Sequence, residues 1–498
     1  MSAARPPEGA HTVAAGEGAP AVAARPSEGA HTVAAGEGAS AVAARPSEGA
    51  HTVAAGEGAP AVAARPPEGA HTVAAGEAAP ASAARPRCRH CGSPLQLPFL
   101  DLGSAPPSNA FLSQDGLRLP QACFPLRLLV CECCWLVQTQ DPVGREALFT
   151  GDYAYFSAFS TSWLSHAQRL VQTLRERLGL TAHSCVVEVG ANDGYLLQYV
   201  QAAGIPCYGV EPTASTAAAA RSRGLTVVER FFGLALAQEL AAAGRQADLL
   251  VANNVLAHVP DIDDFVAGCA WLLKPQGLAS FEFAHLLRMV QGCQFDTAYH
   301  EHYSYLSLTA AARILAANGL ALLDVQELPT HGGSLRLLAA RADAVGHPQA
   351  SAQGAERVAR LLAGERQAGL CGPDFYRAFQ AQAVRVKSGL LGFLLHCQAA
   401  GISVGAYGAA AKGNTLLNYA GVRPDLLPYV ADNNPAKQGR FLPGSRIPVV
   451  DPAHLQARRP QRVLLLPWNL REELARQLAG VRRWGGQFVV AVPRLERF

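Results

Sequence analysis

Between Phe295 and Leu308 the chain reads FDTAYHEHYSYLSL, which puts Tyr299, His300, Glu301, His302, Tyr303 and Tyr305 within seven positions. An imidazole titrates near neutral pH, and a phenol or carboxylate beside it can orient it, so one reading of this density is a catalytic histidine. A His-x-His metal arm is a second reading and an aromatic-rich core strand a third. A metal arm wants further imidazole or carboxylate ligands at helical or strand spacing, and none stands nearby.

Two other stretches carry chemistry of their own. Cys88 and Cys91 in CRHCGSP form one C-x2-C pair, and Cys131 and Cys134 in CECCWLVQ form a second. Such knuckles supply four thiolates to a tetrahedral Zn(II), each turn presenting two sulfurs. Four thiolates leave no position for water, so the ion is expected to be structural, its removal loosening this module before it touches any chemistry directly. Cys123, Cys133 and His90 compete as ligands, and a redox dithiol or plain buried cysteines are the alternatives.

From Cys185 to Tyr199 the chain reads CVVEVGANDGYLLQY: a β-branched run ending in Glu188, a turn from Gly190 to Gly194 that holds Asn192 and Asp193, then a helix-compatible stretch. A second strand, CYGVE, ends in Glu211, where a carboxylate can accept both ribose hydroxyls of a nucleoside. The turn lacks the G-x-G-x-x-G that brings a pyrophosphate to a helix N-terminus, which favours S-adenosylmethionine (SAM) over NAD. A third strand, in DLLVANNVLAHVP, breaks into Asn253, Asn254 and His258, above the expected methyl donor. A Rossmann-like domain without a cofactor is the plain alternative.

These clusters need rigid elements beneath them. The pattern predicts an α/β protein with a Rossmann-like class I SAM methyltransferase core at 151–344, flanked by a zinc-binding module at 86–150. A helical connector follows at 345–400. In it Phe375, Phe379, Ala383, Val386, Leu390 and Leu394 fall three and four apart, one apolar stripe expected to pack between the two larger domains. Residues 401–498 form a second Rossmann-like unit, opened by ISVGAYGAAAKGNTLLNY. Its 14 Lys plus Arg against 6 Asp plus Glu suit a diphosphate, with Lys412, Asn414, Asp432 and Lys437 as candidate contacts. A surface that is merely basic is the alternative.

Composition limits the rest. The 498 residues carry 42 Lys plus Arg against 39 Asp plus Glu, and this near-neutral balance with no basic, aromatic-rich stripe argues against nucleic acid as a partner. No stretch reads as a signal peptide or membrane span, and cysteines scattered singly outside one cluster suit a reducing cytoplasm. Residues 1–85 repeat a 20-residue unit beginning at Arg5, Arg25, Arg45 and Arg65. Ala, Gly, Pro and Glu dominate it, so it cannot bury enough surface to offset its ordering entropy and is read as disordered. His11, His31, His51 and His71 recur in it without other ligand types, and recent duplication of a tail explains them better than a metal or partner site.

Taken together, CRHCGSPL with CECCWLVQ, VVEVGANDGYLL with GVEPT, NNVLAHVPD, FDTAYHEHYSYLSL, HGGSLR, AYGAAAKGNTLLNY, VADNNPAKQGRFLPGSRIPV and LPWN resemble the nucleotide-sugar C-methyltransferase family, over nearly everything after the repeats. The resemblance implies a zinc-bearing N-terminal module, a central SAM domain and a C-terminal Rossmann-like domain that helps hold the nucleotide sugar. It makes His302 the base that takes a proton from the carbon beside a ketone, with Glu301 beside it and Tyr299, His258 and Tyr153 completing the sugar site. The implied substrate is a dTDP-keto-deoxyhexose, and the implied enzyme a monomer. Ala284 departs from the family's proline. An O- or N-methyltransferase of another metabolite and a non-catalytic zinc-knuckle scaffold are the competing readings.

Overall fold

The computed structural model describes residues 86–140, 143–149 and 155–498. The repeats and Tyr153 lie outside the described residues.

Seven strands build the central sheet, in the order Leu320–Leu328, Ser334–Arg341, Leu273–Ala284, Ala247–Asn253, Val186–Val189, Cys207–Val210 and Val227–Val228. The last five run parallel, whereas Ser334–Arg341 is antiparallel to both of its neighbours. Val186–Val189 reads VVEV and is buried at every position, as a parallel strand with helices on both faces must be. One of those helices, Thr161–Leu178, starts where the Ser160 hydroxyl accepts the Trp163 N–H and stops at Gly179 in the left-handed conformation. Trp163, Ala167, Leu170, Val171 and Leu174 lie at helical spacing and pack beside Val186 and Leu249 of the sheet.

The chain leaves Val186–Val189 for one side of the sheet and reaches Ala247–Asn253 on the other, and such a switch point opens a crevice beyond the strands' carboxyl ends. Gly190 forms its floor at φ +70°, where an added Cβ would lie 2.6 Å from Val255 Cγ2. Only glycine keeps this turn both left-handed and close to the neighbouring strand.

The zinc module is a four-stranded antiparallel sheet, Leu97–Ala105, Phe124–Val130, Val137–Thr139 and Ser304–Tyr305. Its last strand comes from far along the chain and begins two residues after His302. The segment richest in titratable rings is therefore built into the module's sheet.

A third sheet, Val449–Val450, Val430–Ala431, Val404–Tyr407, Arg462–Leu465, Gln487–Val490 and Glu496–Arg497, is parallel apart from its last pair. The connector packs differently from expectation. Helix Ala352–Gln367 covers the Leu320–Leu328 edge of the central sheet, but the striped helix Phe379–Ala399 lies between Leu97–Ala105 of the zinc module and helix Ala411–Ala420 of the C-terminal unit. Phe99 stacks on Phe379 with ring centroids 4.5 Å apart, so zinc module, connector and C-terminal unit share one continuous core. An apolar stripe shows which face is buried and leaves open against what.

Candidate active site

At the zinc module the sulfurs of Cys88, Cys91, Cys131 and Cys134 all lie within 4.8 Å of one another. Cys88 and Cys134 are 3.5 Å apart and Cys91 and Cys131 3.4 Å, close to the ~3.8 Å that tetrahedral Zn–S bonds impose. Cys131 Sγ accepts the Cys134 N–H, and Cys88 Sγ accepts Gln138 Nε2–H at 3.2 Å, as second-layer donors to thiolates do. The donor set fits a structural zinc. Cys133 and Cys123 are exposed and stand apart from the cluster, and His90 Nδ1 is given to Asp263 instead.

A cavity of about 940 Å³ opens at the switch point of the central sheet. Gly190, Asn192, Glu211, Asn253 and Asn254 form one wall, His258, Tyr299, Glu301 and His302 a second, and Lys412 and Lys437 of the C-terminal unit a third. Glu211 Oε2 accepts the Asn192 N–H at 2.9 Å and Oε1 the N–H and hydroxyl of Thr213, which shapes the turn and leaves one lone pair of Oε2 for a ribose hydroxyl. Asn253 Oδ1 is buried without a partner, a vacant acceptor beside the turn. These features together fit an adenosyl cofactor.

The titratable cluster is densely packed. The His302 ring lies 3.9 Å from that of Tyr299 and 4.5 Å from that of His258, centroid to centroid. His302 Nδ1 meets the Thr297 carbonyl at 2.9 Å. A carbonyl only accepts, so Nδ1 carries the hydrogen and Nε2 holds the lone pair. Burial, and then the neighbouring His258, push the His302 imidazole well below its ordinary pKa, so it is neutral at pH 7. Glu301, 2% exposed, receives Asn109 Nδ2–H on its carboxylate at 2.8 Å and 3.0 Å. His300 faces away, its Nε2 donating to the Phe124 carbonyl at 3.1 Å.

Family models match a zinc binding domain at residues 88–149, a methyltransferase domain at 163–325 and a C-methyltransferase C-terminal domain at 329–493. C-methyltransferase NovU of Streptomyces niveus is 34% identical over 406 residues, covering 82% of this chain and 95% of that protein. The chain belongs to the C-methyltransferase family. A ubiquinone biosynthesis O-methyltransferase of Rhizobium etli is 30% identical over 160 residues, 28% of this chain and 60% of that protein. Magnesium protoporphyrin IX methyltransferase from Synechocystis PCC 6803, solved with bound SAM, shares 19% identity over 36% of this chain and 81% of that chain, at a TM-score of 0.28. That likeness is too slight to carry any residue's role across.

This C-methyltransferase is a SAM-dependent enzyme with a structural zinc, and the structure sorts the residues expected at its sites. Glu188, Asp193 and Gly194 are not on the cavity wall. Glu188 is fully buried behind the turn, where burial pushes its carboxyl well above the usual range. Asp193 accepts the Ala158 N–H at 3.2 Å, and Gly194 has no room for a Cβ against Leu225. Asn414 and Asp432, expected at the diphosphate, are also off the wall. Asn414 is 1% exposed and reaches the Ser108 carbonyl, while Asp432 accepts the N–H groups of Ala409 and Asn434 and so shapes the second glycine turn. Of the surplus basic residues only Lys412, Lys437 and Arg476 line the cavity.

Four features of the site escaped the sequence. Asn109 comes from a loop of the zinc module. His331 of HGGSLR sits at φ +55° and meets Asn254 Nδ2 through Nε2 at 3.2 Å. Glu282, fully buried, is held by Arg336 at 2.6 Å and His166 at 2.9 Å behind the cavity. Trp468 Nε1 donates to Asp296 Oδ2 at 2.7 Å, across the junction with the C-terminal unit. The left-handed turn implied by HGG was the one local signal among these.

Proposed function

We propose that the enzyme methylates a ring carbon beside the ketone of a nucleotide-activated keto-deoxysugar of the dTDP-4-keto-deoxyhexose type. The observation that carries this reading is the tautomer of His302. A neutral imidazole whose N–H is given to a backbone carbonyl presents its other nitrogen as a base, in a cavity that the cofactor turn shares. Transfer to oxygen or nitrogen needs only a weakly basic helper, whereas a carbon beside a ketone gives up its proton only to a positioned base with the oxyanion stabilised. Bound SAM supplies an electrophilic methyl group on a sulfonium.

The chain's own residues then divide the work. His302 Nε2 takes the proton, and the Thr297 carbonyl on Nδ1 stabilises the imidazolium that forms. Tyr299, whose hydroxyl burial keeps protonated, is the donor to the developing enolate oxygen. His258, also expected at the sugar site, does not share that role. Its ring N–H is engaged by the Glu301 backbone carbonyl and its Nδ1 is buried without a partner, so a neutral His258 has no second hydrogen to offer. Its neutrality lets it pack against His302 without opposing the new charge. Lys412 and Lys437 face the cavity as partners for a diphosphate.

No two cysteines are joined in a disulfide, and among the described residues no helix is long and apolar enough to cross a membrane. A cytoplasmic site of action fits both. The test is incubation of the zinc-loaded protein with methyl-labelled SAM and a panel of dTDP-4-keto-deoxyhexoses, with mass spectrometry of the sugars. A product labelled on carbon, lost in His302→Ala, is expected. Label on oxygen or nitrogen, with His302→Ala merely slowed, would replace this reading by the O- or N-methyltransferase.

A further inference from the structure

The metal knuckle reaches the reacting wall of the cavity through one side chain. Arg89 stands between the ligands Cys88 and Cys91. Its backbone N–H donates to Gln138 Oε1 at 2.9 Å, and Gln138 Nε2 donates in turn to Cys88 Sγ. Its guanidinium spans the sheet. Nη1 donates to the Thr139 carbonyl at 2.8 Å, and Nη2 to both Thr139 Oγ1 and the carbonyl of Tyr303.

Tyr303 directly follows His302. The same Tyr303 carbonyl accepts the Thr139 N–H at 3.1 Å, and the Tyr303 N–H donates to the Ala257 carbonyl at 2.7 Å, beside His258. The ladder that holds this segment is only the two-residue strand Ser304–Tyr305. With so few ladder bonds, a charge-assisted bond to a buried carbonyl carries a large share of the restraint. On its other side the knuckle is pinned by His90 to Asp263 of helix Ile262–Leu272 at 2.8 Å, so Arg89 is fixed at its root by the knuckle and at its tip by the active-site segment.

We propose that Arg89 is a positioning residue through which the zinc knuckle fixes the Tyr303 carbonyl and thereby holds His302 at the cavity. The expectation that metal loss loosens this module before it touches any chemistry directly thereby gains an indirect route to the base. Without the ion nothing centres the four sulfurs, the Cys88–Cys91 turn relaxes, and the guanidinium rooted in it withdraws from Thr139 and Tyr303. A lysine at this position offers a single nitrogen where the arginine fork spreads two over three acceptors. The effect on turnover rests on the reading of His302 as the base, whereas the mechanical link does not.

The experiment compares full-length wild type, chelator-stripped wild type, Arg89→Gln and Arg89→Lys by hydrogen exchange, zinc content, SAM calorimetry and turnover. In Arg89→Gln, zinc and SAM binding are expected to persist while residues 299–305 exchange about tenfold faster and strands 186–189 and 207–210 stay protected. Its kcat should fall with KM little changed. Stripping zinc should reproduce that pattern and add opening at 88–95, and Arg89→Lys should fall between. Unchanged exchange at 299–305 after stripping, with 88–95 open, would overturn the proposal. Should Arg89→Gln lose zinc or SAM, Arg89→Lys decides: full binding with wild-type exchange at 299–305 sinks the idea, and faster exchange there supports it. Loosening of 299–305 alongside a wild type that methylates no sugar would uphold the link and reject the substrate.

Discussion

Asn109 Nδ2 lies within 3.0 Å of both carboxylate oxygens of Glu301, joining a loop of the zinc module to the residue that precedes His302. A buried carboxylate tolerates few vacancies among its partners, and a hydrogen bond to a charged group contributes about 1.5–3 kcal/mol. Asn109→Ala is therefore expected to lower kcat by roughly 10–100-fold while leaving SAM affinity unchanged. Steady-state kinetics beside calorimetry checks this. A kcat within about twofold of wild type would mean that the Asn109 contact to Glu301 does not influence the base.

The base has its own pH signature. Burial lowers the His302 imidazole well below 6.5, and lowers His258 to about 4. Because the neutral form is active, kcat/KM should stay on its plateau as pH falls through 6.5 and drop only well below it. A profile in free-enzyme kinetics that halves near 6.5 would place the essential base in a solvated environment and exclude a desolvated His302. The sign for stability follows from the same shift. A depressed folded pKa makes protonation oppose folding, so the contribution of neutral His258 is complete above 6.5 and is lost as pH falls toward about 4.

Local chemistry was readable and long-range partnership was not. The C-x2-C turns, the VVEVG run and the acid at Glu211 declare themselves because each is made within a few residues. Asn109 with Glu301, Trp468 with Asp296 and His166 with Glu282 are separated by more than a hundred residues each, and only the fold brings them together. Asn414 and Asp432 show the opposite case, since the structure places both off the cavity wall. Asn414 follows the Gly408 turn and Asp432 ends the neighbouring strand Val430–Ala431, where ligand contacts often lie, yet the turn's own backbone consumes the Asp432 carboxylate. The strand pairing of Ser304–Tyr305 with Val137–Thr139 was invisible for a further reason: two residues carry no periodicity.

Glu211 provides a test of the cofactor wall that is independent of the sugar. Its Oε2 holds the Asn192 N–H and its Oε1 both the N–H and the hydroxyl of Thr213, which leaves one lone pair of Oε2 for the cavity. Glu211→Gln replaces an acceptor by a donor opposite N–H groups. SAM should bind roughly 10–100-fold more weakly by calorimetry, with zinc content intact. Undiminished affinity would move the ribose elsewhere.

Asp296 makes a stability prediction whose sign is opposite to that of His258. It is fully buried, Oδ2 takes the Trp468 indole N–H, and Oδ1 has no partner. Burial raises its carboxyl from 3.8 to about 6, against the opposing pull of the Lys412 ammonium. A raised folded pKa means the folded state binds the proton more tightly, so stability is complete below the unfolded value of 3.8 and is lost as pH rises through about 6. The rise from 3.8 to about 6 corresponds to about 3 kcal/mol. Asp296→Asn keeps an acceptor for Trp468 and removes the ionisation. Relative to that variant, wild type should lose on the order of 3 kcal/mol in chemical denaturation between pH 4 and pH 7. Parallel stability curves for the two proteins would show that Lys412 neutralises Asp296 fully, and the junction with the C-terminal unit would then be held by an ion pair, not by a protonated acid.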